Sequence, residues 1–257
     1  MAERVRSMSE PASLDFRFSV AADNQRLDDG DSMEAVYQQL RAAILNCEIP
    51  VATPLSQVQL ARKLGVSRTP LREAIRLLQR EGLIEASPNQ RVRVAGFSVE
   101  DLDQLYAMRI SLEALGVRMT VPYMNTADMQ QLEDCLARMD ELTEIEEYDC
   151  WNVPHRTYHA LLVAGAGKRL CKQIEQLSGH AERYRRFYTA QTSGAWLAGL
   201  FEHSTIFEAC KARHPAAAAE QLGRHYSTVA LRVIATVAPE YDPVAIRTAL
   251  RMVLQGN

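Results

Sequence analysis

Six histidines, at positions 155, 159, 180, 203, 214 and 225, are the first residues whose types and spacing allow specific chemistry. In His155-Arg-Thr-Tyr-His159 two imidazoles stand four residues apart. On a helix that puts both on one face, a turn apart, in a spacing able to chelate a divalent ion. His203 and His225 fall on later segments with helical patterning. An antiparallel bundle brings such positions to one depth, so four imidazoles from three helices can converge. The same pattern also suits structural histidines on an apolar face. Arg109 and Glu113 form a second pair at helical spacing. They are either a carboxylate clamp facing a cavity or a surface ion pair contributing ~0.2–0.5 kcal/mol. Arg183, Arg185 and Arg186, interleaved with Tyr184 and Tyr188, either line such a cavity or are solvated. A third group, Ser67, Arg68, Thr69 and Arg72, offers hydroxyls and guanidiniums of the kind that contact phosphates and base edges.

That third group lies in a compact run of elements. Val58, Leu60, Ala61 and Leu64 recur at helical spacing and form the expected inner face of a short helix. Gly65 follows, where a left-handed turn residue costs least. Ser67 is placed to cap a second helix through its hydroxyl, with Pro70 in the first turn. Leu71, Ala74, Ile75 and Leu78 supply its buried stripe, while Arg68, Arg72, Arg76 and Arg80 rise on other faces. After Gly82, Leu83-Ile84 starts a strand, and Pro88-Asn89-Gln90 is turn chemistry leading to Arg91-Val-Arg93-Val94. From Arg62 to Arg93 there are eight Lys/Arg against three Glu, on a chain whose net charge is −3. Concentrated positive charge on an acidic protein is the footprint of phosphate contact. The order of elements is that of a winged helix-turn-helix, whose second helix enters the major groove. Met33 to Cys47, capped by Asp31 or Ser32, is expected to complete a three-helix core over residues 32–95. Residues 1–31 are polar and unpatterned and are expected to form a mobile arm.

Beyond residue 98 the β signals stop, and an all-α bundle of six or seven helices is expected over 98–238, with a short helical extension over 239–257. Ser98 followed by Asp101 is a capping-box-like start. Leu102, Leu105, Met108, Leu112, Leu115 and Met119 form its expected inward stripe. Thr126 is expected to cap the next helix, and later helices run near 149–164, 167–189, 196–213, 215–237 and 243–254. From Asp128 to Asp149 nine Asp/Glu face one Arg, the pattern of a solvated outer face. At 257 residues the chain has room for two domains, and a hydrophobic content of 47% with 24% charged residues is that of a globular protein. No apolar run approaches the roughly 20 residues that span a bilayer, and the N-terminus lacks an apolar signal segment. Five scattered cysteines without a C-x-x-C read as free thiols, and the expected location is the cytoplasm.

Val66-Ser-Arg-Thr-Pro-Leu-Arg-Glu-Ala74, with Leu77 and Glu81-Gly-Leu83, resembles the DNA-binding domain of the GntR family of bacterial transcription regulators. The resemblance implies DNA contact by Arg68, Thr69 and Arg72, with Ser67 beside them and Arg91 in the wing. Three departures limit what it carries. Cys47 to Pro54 replaces a glycine-containing turn, Gln57-Val-Gln59 replaces a charged position, and Asn89-Gln90-Arg91 replaces a glycine at the wing tip. The fold tolerates these changes, but the family's operator sequence does not carry over.

The region from Ser98 to about Ala238 is similar to the FCD effector domain of the FadR-like branch. That resemblance implies a divalent metal held by Asp and three His, of which Tyr158-His159, Glu202-His203 and His225 match the histidines. His155 stands where the family has Asp. Four neutral imidazoles favour a borderline transition metal, zinc or nickel first, over hard ions. Arg109 and Glu113 match an R-x-x-x-E feature that implies an effector-binding role.

The reading is a metal-containing regulator that responds to a small carboxylate or sugar acid. It acts as a homodimer on double-stranded operator DNA, without membrane contact and without enzymatic activity. Its rivals are a sensor of the metal ion itself and a His-site metalloenzyme with an accessory DNA-binding domain. Against the enzyme, His155-Arg-Thr-Tyr-His159 lacks the Glu that follows the first His in helix-borne zinc hydrolases.

Overall fold

The computed structural model describes residues 29–45, 48–50, 52–85, 92–96, 98–143, 148–191 and 195–256. The chain divides into two compact units, Met1–Phe97 and Ser98–Asn257.

The first unit contains α1 (Asp29–Leu45), β1 (Pro54–Leu55), α2 (Gln57–Leu64), α3 (Arg68–Arg80), β2 (Ile84–Glu85) and β3 (Val92–Val94). Leu40, Leu60, Leu71, Ala74 and Leu78 meet in its apolar core with Ile49, Leu55 and Ile84. Gly65 adopts φ 67°, the left-handed turn that lets α3 follow α2 directly. The strands pair antiparallel in the order β1-β3-β2, with Ile84 opposite Val94 and Leu55 opposite Val92.

Four sequence expectations need correction here. Helix α1 begins at Asp29, so neither Asp31 nor Ser32 caps it, and the expected arm loses its last residues to the helix. Residues 1–28 of that arm, Cys47 and the wing tip 86–91, with Arg91, lie outside the described residues. Val58 is 60% exposed, because at 100° per residue it points about 200° away from the buried Leu60. Ser67 is the N-cap of α3 but its hydroxyl makes no capping bond, whereas Ser56 accepts from the Gln59 amide at the start of α2. Finally, the sheet has a strand, β1, that periodicity does not reveal in so short a segment.

The second unit contains seven α-helices among the described residues: α4 (Val99–Thr120), α5 (Thr126–Thr143), α6 (Tyr148–Leu162), α7 (Lys168–Gln191), α8 (Ala195–Lys211), α9 (Pro215–Val237) and α10 (Val244–Gln255). Ser98 caps α4 by accepting from the Asp101 amide at 3.1 Å. Asn125, not Thr126, caps α5: its Oδ1 accepts from Ala127 and Asp128, while Asp128 accepts from the Asn125 amide. The reciprocal Asn–Asp box satisfies more orphan amides than a threonine inside the first turn.

Helix α4 is the centre of this unit and packs chiefly on α9, α10 and α7. It carries two apolar stripes, and the one expected inside is mostly outside. Leu102 and Leu105 are buried, but Met108, Leu115 and Met119 are 47%, 48% and 42% exposed. The buried face runs instead through Tyr106, Arg109, Ile110, Glu113, Ala114 and Val117. Gly116 allows a close approach there, since a Cβ would stand 2.9 Å from a Val163 methyl. Helix α10 belongs to the same bundle: Ile246, Ala249 and Val253 are buried, and the Asp103 carboxylate accepts from the Ala245 and Ile246 amides at its start.

Candidate functional site

Three helices bring four histidines together. Helix α6 contributes His155 and His159, α8 contributes His203, and α9 contributes His225. All four are buried, and one nitrogen from each lies within 4.8 Å of every other. Pro154 sits inside α6 immediately before His155, which removes one backbone hydrogen bond from the helix at that point. The Tyr158 hydroxyl donates to the His203 carbonyl at 2.8 Å and ties α6 to α8. His155 stacks on Trp151 with ring centroids 4.5 Å apart.

The protonation of the cluster follows from its surroundings. Burial first, then the neighbouring imidazoles and Arg185, holds His155 and His203 neutral well below the ordinary histidine range, and the same holds for His159. The His225 Nδ1 lies 2.6 Å from a Glu202 carboxylate oxygen and donates to it, which leaves Nε2 as the nitrogen able to face an ion. Tyr226 donates its only proton to Glu113 Oε2. Its oxygen, 2.9 Å from His159 Nδ1, therefore accepts from that nitrogen, and Nε2 of His159 is again the lone-pair nitrogen. The His159 and His203 Nε2 atoms face each other at 3.1 Å. Four buried imidazoles converging on one place are a donor set that fits a borderline divalent ion, which would take the place of the proton between His159 and His203. For metal–nitrogen bonds of about 2.0–2.1 Å, tetrahedral neighbours stand about 3.3 Å apart, so modest side-chain shifts close the set on an ion.

Arg109 and Glu113 are not a surface pair. Their side chains are 2% and 1% exposed and meet at 2.9 Å. Burial works against the Arg109 charge, but Glu113, Tyr226 and Tyr106 together outweigh it and the guanidinium stays ionised. Arg109 lies over the Tyr226 ring, 4.0 Å from its centroid. Its Nε is committed to Glu113, and its Nη groups have no hydrogen-bond partner among the described residues. The Glu113 carboxylate is fully engaged by Arg109 and Tyr226, so an effector contact through Glu113 itself is not what this geometry offers.

A cavity of about 30 Å³ borders His155, His203, His225, Arg109, Arg185 and Trp151. Of the arginines in α7, only Arg185 lines it. Arg185 is held by Tyr148, Asn152 and Glu182. Burial alone would raise the Glu182 pKa, but Arg185 and Arg186 outweigh it and hold the carboxyl below its usual value. Arg183 and Tyr184 bind Asp101 instead. A larger groove of about 1230 Å³ between α6 and α7 reaches His159 and Glu113 from another side. Tyr226 and Trp151 escaped sequence reasoning as site residues, whereas spacing leaves Arg185 open between cavity and solvent. Tyr226 had one signal, its position directly after His225.

In the first unit, Ser67, Arg68, Thr69 and Arg72 are all exposed around the N-terminal turn of α3. Arg76 is paired with Glu73, whereas Arg68 and Arg72 have no ionic partner among the described residues. The opposite face, Pro70, Leu71, Ala74, Ile75 and Leu78, is buried.

These features coincide with two family profiles. One, described as bacterial regulatory proteins of the gntR family, matches residues 32–94; the other, the FCD domain, matches residues 104–228. The chain carries a GntR-family helix-turn-helix domain followed by an FCD domain. A regulator of Bacillus subtilis named YdhC is 29% identical over 197 residues, which is 74% of this chain and 86% of that one. The Escherichia coli K12 transcriptional repressor GlaR is 27% identical over 203 residues, or 75% of this chain and 91% of the other. Among solved structures, E. coli McbR/YncC superposes with a TM-score of 0.67 at 20% identity, covering 80% of this chain and 98% of that one. A GntR-type regulator from Rhodococcus sp. RHA1 gives 0.66 at 20% identity over 82% of this chain and all of the other. The structural likeness concerns the fold: a winged helix followed by an all-α domain. This protein is a ligand-responsive, DNA-binding transcription regulator. No helix among the described residues is long and apolar enough to cross a membrane.

Proposed function

We propose that this regulator holds a divalent transition metal, zinc or nickel, through His155, His159, His203 and His225, and that a small carboxylate effector binds beside it. The observation that carries the reading is the cavity bordered by His155, His203, His225 and a buried, ionised Arg109 whose Nη groups have no hydrogen-bond partner among the described residues. A guanidinium presenting paired N–H groups suits a carboxylate, and a bound metal supplies a second positive centre for it. Glu202 is hydrogen-bonded to His225 rather than free to act as a base, which favours a regulator over a hydrolytic enzyme. A cavity of about 30 Å³ holds little more than a pair of water-sized volumes, which favours an effector at the small end of the carboxylates.

DNA contact falls to Ser67, Arg68, Thr69 and Arg72, joined by Arg91 of the wing. One recognition helix gives few base contacts, so a homodimer reads a two-part operator. The exposed Met108, Leu115 and Met119 stripe of α4 supports a second copy as its cover. Effector binding changes DNA affinity to the extent that it favours one of two conformations.

Elemental analysis of the purified protein, followed by operator-binding titrations with a panel of small carboxylates, tests the reading. One bound transition-metal ion per chain and a carboxylate-dependent operator affinity are expected. Operator binding that follows metal concentration alone supports the ion-sensor alternative, and turnover by the metal-loaded protein supports the enzyme. Protein free of transition metal after growth with both zinc and nickel overturns the metal site.

A further inference from the structure

Only one nitrogen of each histidine can face an ion, and the partner of the other nitrogen fixes the ring. His225 has a carboxylate in direct contact, Glu202 at 2.6 Å. Among the described residues His159 has no carboxylate in contact. Its Nδ1 meets the Tyr226 hydroxyl at 2.9 Å, Tyr226 donates to Glu113, and Glu113 accepts from Arg109 Nε at 2.9 Å. Every member of this chain is buried, and the Arg109 guanidinium also covers the Tyr226 ring.

Resting on the metal-site reading above, we infer that Tyr226, locked by Glu113 and Arg109, is a positioning residue that sets the tautomer and orientation of His159 as a metal ligand. The directions of the hydrogen bonds require it. The Tyr226 hydroxyl has one proton, and Glu113, an acceptor only when ionised, takes it. Arg109 Nε donates to Oε1 of Glu113 and so leaves Oε2 to take the Tyr226 proton. The Tyr226 oxygen then offers His159 only a lone pair, which pins the imidazole proton on Nδ1 and aims Nε2 at the cluster. Without that oxygen the ring is free to take its other tautomer, with N–H where the lone pair should be. The chain also gives the sequence feature Arg109-x-x-x-Glu113 a role distinct from binding effector: Glu113 acts through Tyr226 on the metal ligand, while Arg109 serves both sides. Outer partners of metal-bound histidines typically account for 10- to 100-fold in metal affinity.

The test is Tyr226→Phe in the full-length protein, which keeps the ring and its packing and deletes only the hydroxyl. Zinc and nickel affinities by chelator competition, and the visible spectrum of the cobalt-substituted protein, are compared with wild type. Thermal melting of the metal-free forms is measured alongside. A roughly 10- to 100-fold loss of metal affinity and an altered cobalt spectrum are expected, exceeding what the change in metal-free melting accounts for. Glu113→Gln, whose amide can donate to Tyr226 as well as accept, should produce a loss of the same kind, and the double variant should lose no more than the worse single one. Wild-type affinity and an unchanged cobalt spectrum in Tyr226→Phe overturn the positioning role and leave the four-histidine site standing. Wild-type protein that binds none of the three ions overturns the site and the role together.

Discussion

The two units use arginine in opposite ways. In the first, Arg68 and Arg72 stand in solvent at the start of α3 with no ionic partner among the described residues, on a helix whose other face supplies apolar core. In the second, Arg109 is buried, paired with Glu113 and stacked on Tyr226. An exposed, unpaired guanidinium contributes little to folding and is available for an external anion. A buried one is part of the fold, because removing it strands a desolvated carboxylate. The winged helix therefore separates its binding residues from its stability, whereas the bundle merges the two. Substitutions in each unit should show that contrast.

The largest effect should come from Arg109→Ala. It leaves Glu113 buried without its cation, and a loss of about 3–5 kcal/mol in unfolding free energy is expected from denaturant melts. Replacing both residues by apolar ones of similar volume should recover much of that stability while abolishing the carboxylate response. If Arg109→Ala alone melts like wild type, the pair is solvated and the contrast collapses.

The first unit offers the reverse outcome. Arg68→Ala and Arg72→Ala should each weaken operator binding by about 1–3 kcal/mol if they read base edges. Their effect on unfolding should stay within about 0.5 kcal/mol, as for exposed residues without partners. A variant that weakens the operator affinity equally for all sequences, and lowers its salt dependence, has lost a phosphate contact instead.

Acid should distinguish the units without mutation. Every histidine of the chain lies beyond residue 97. In the metal-free bundle His155, His159 and His203 are held neutral well below 6.5, whereas the unfolded chain protonates them near that value. Below about pH 6.5 the unfolded state therefore binds more protons than the folded one, and stability falls with pH. Both tryptophans, Trp151 and Trp196, are in the bundle, so tryptophan fluorescence follows its melting. A bundle melting temperature that stays flat from pH 7.5 to 5 contradicts the burial of these imidazoles.

The same contrast explains what the sequence discloses. The winged helix is legible because its core is apolar at regular spacing and its turns carry glycine, so Gly65 and the buried face of α3 fall where periodicity puts them. Val58 misleads because α2 is only eight residues long and one apolar residue off the stripe changes its apparent face. The histidines announce themselves by type. Arg109 and Glu113 do not, since a buried ion pair and a surface one have identical spacing. Their depth depends on which stripe of α4 faces inward, and α4 has two. Met108, Leu115 and Met119 make the more regular apolar stripe, yet Tyr106, Arg109, Ile110 and Glu113 are the ones buried. Only the placement of α9, which brings Tyr226 to Glu113, decides between them.

The exposed stripe supplies a further test. Leu115→Glu puts a like charge at the centre of a two-fold α4 pairing and should convert a dimer to monomers in sedimentation experiments, with little change in the metal site. A dimer that survives the substitution pairs through another surface.

The smallest effect compares two serines at helix starts. Ser56 caps α2, its hydroxyl 3.4 Å from the Gln59 amide, a long bond, so Ser56→Ala should cost no more than about 1 kcal/mol of stability. Ser67 occupies the same position before α3 with an extended backbone, but its hydroxyl makes no capping bond. Ser67→Ala should therefore leave melting almost unchanged. On the proposed function any loss it causes appears in operator binding, because the hydroxyl stands beside Arg68 and Thr69 at the end of α3 proposed to contact DNA. If Ser67→Ala destabilises the fold as much as Ser56→Ala, the hydroxyl is a structural cap, and Ser67 drops out of the DNA-contacting set while Arg68 and Arg72 keep their place in it.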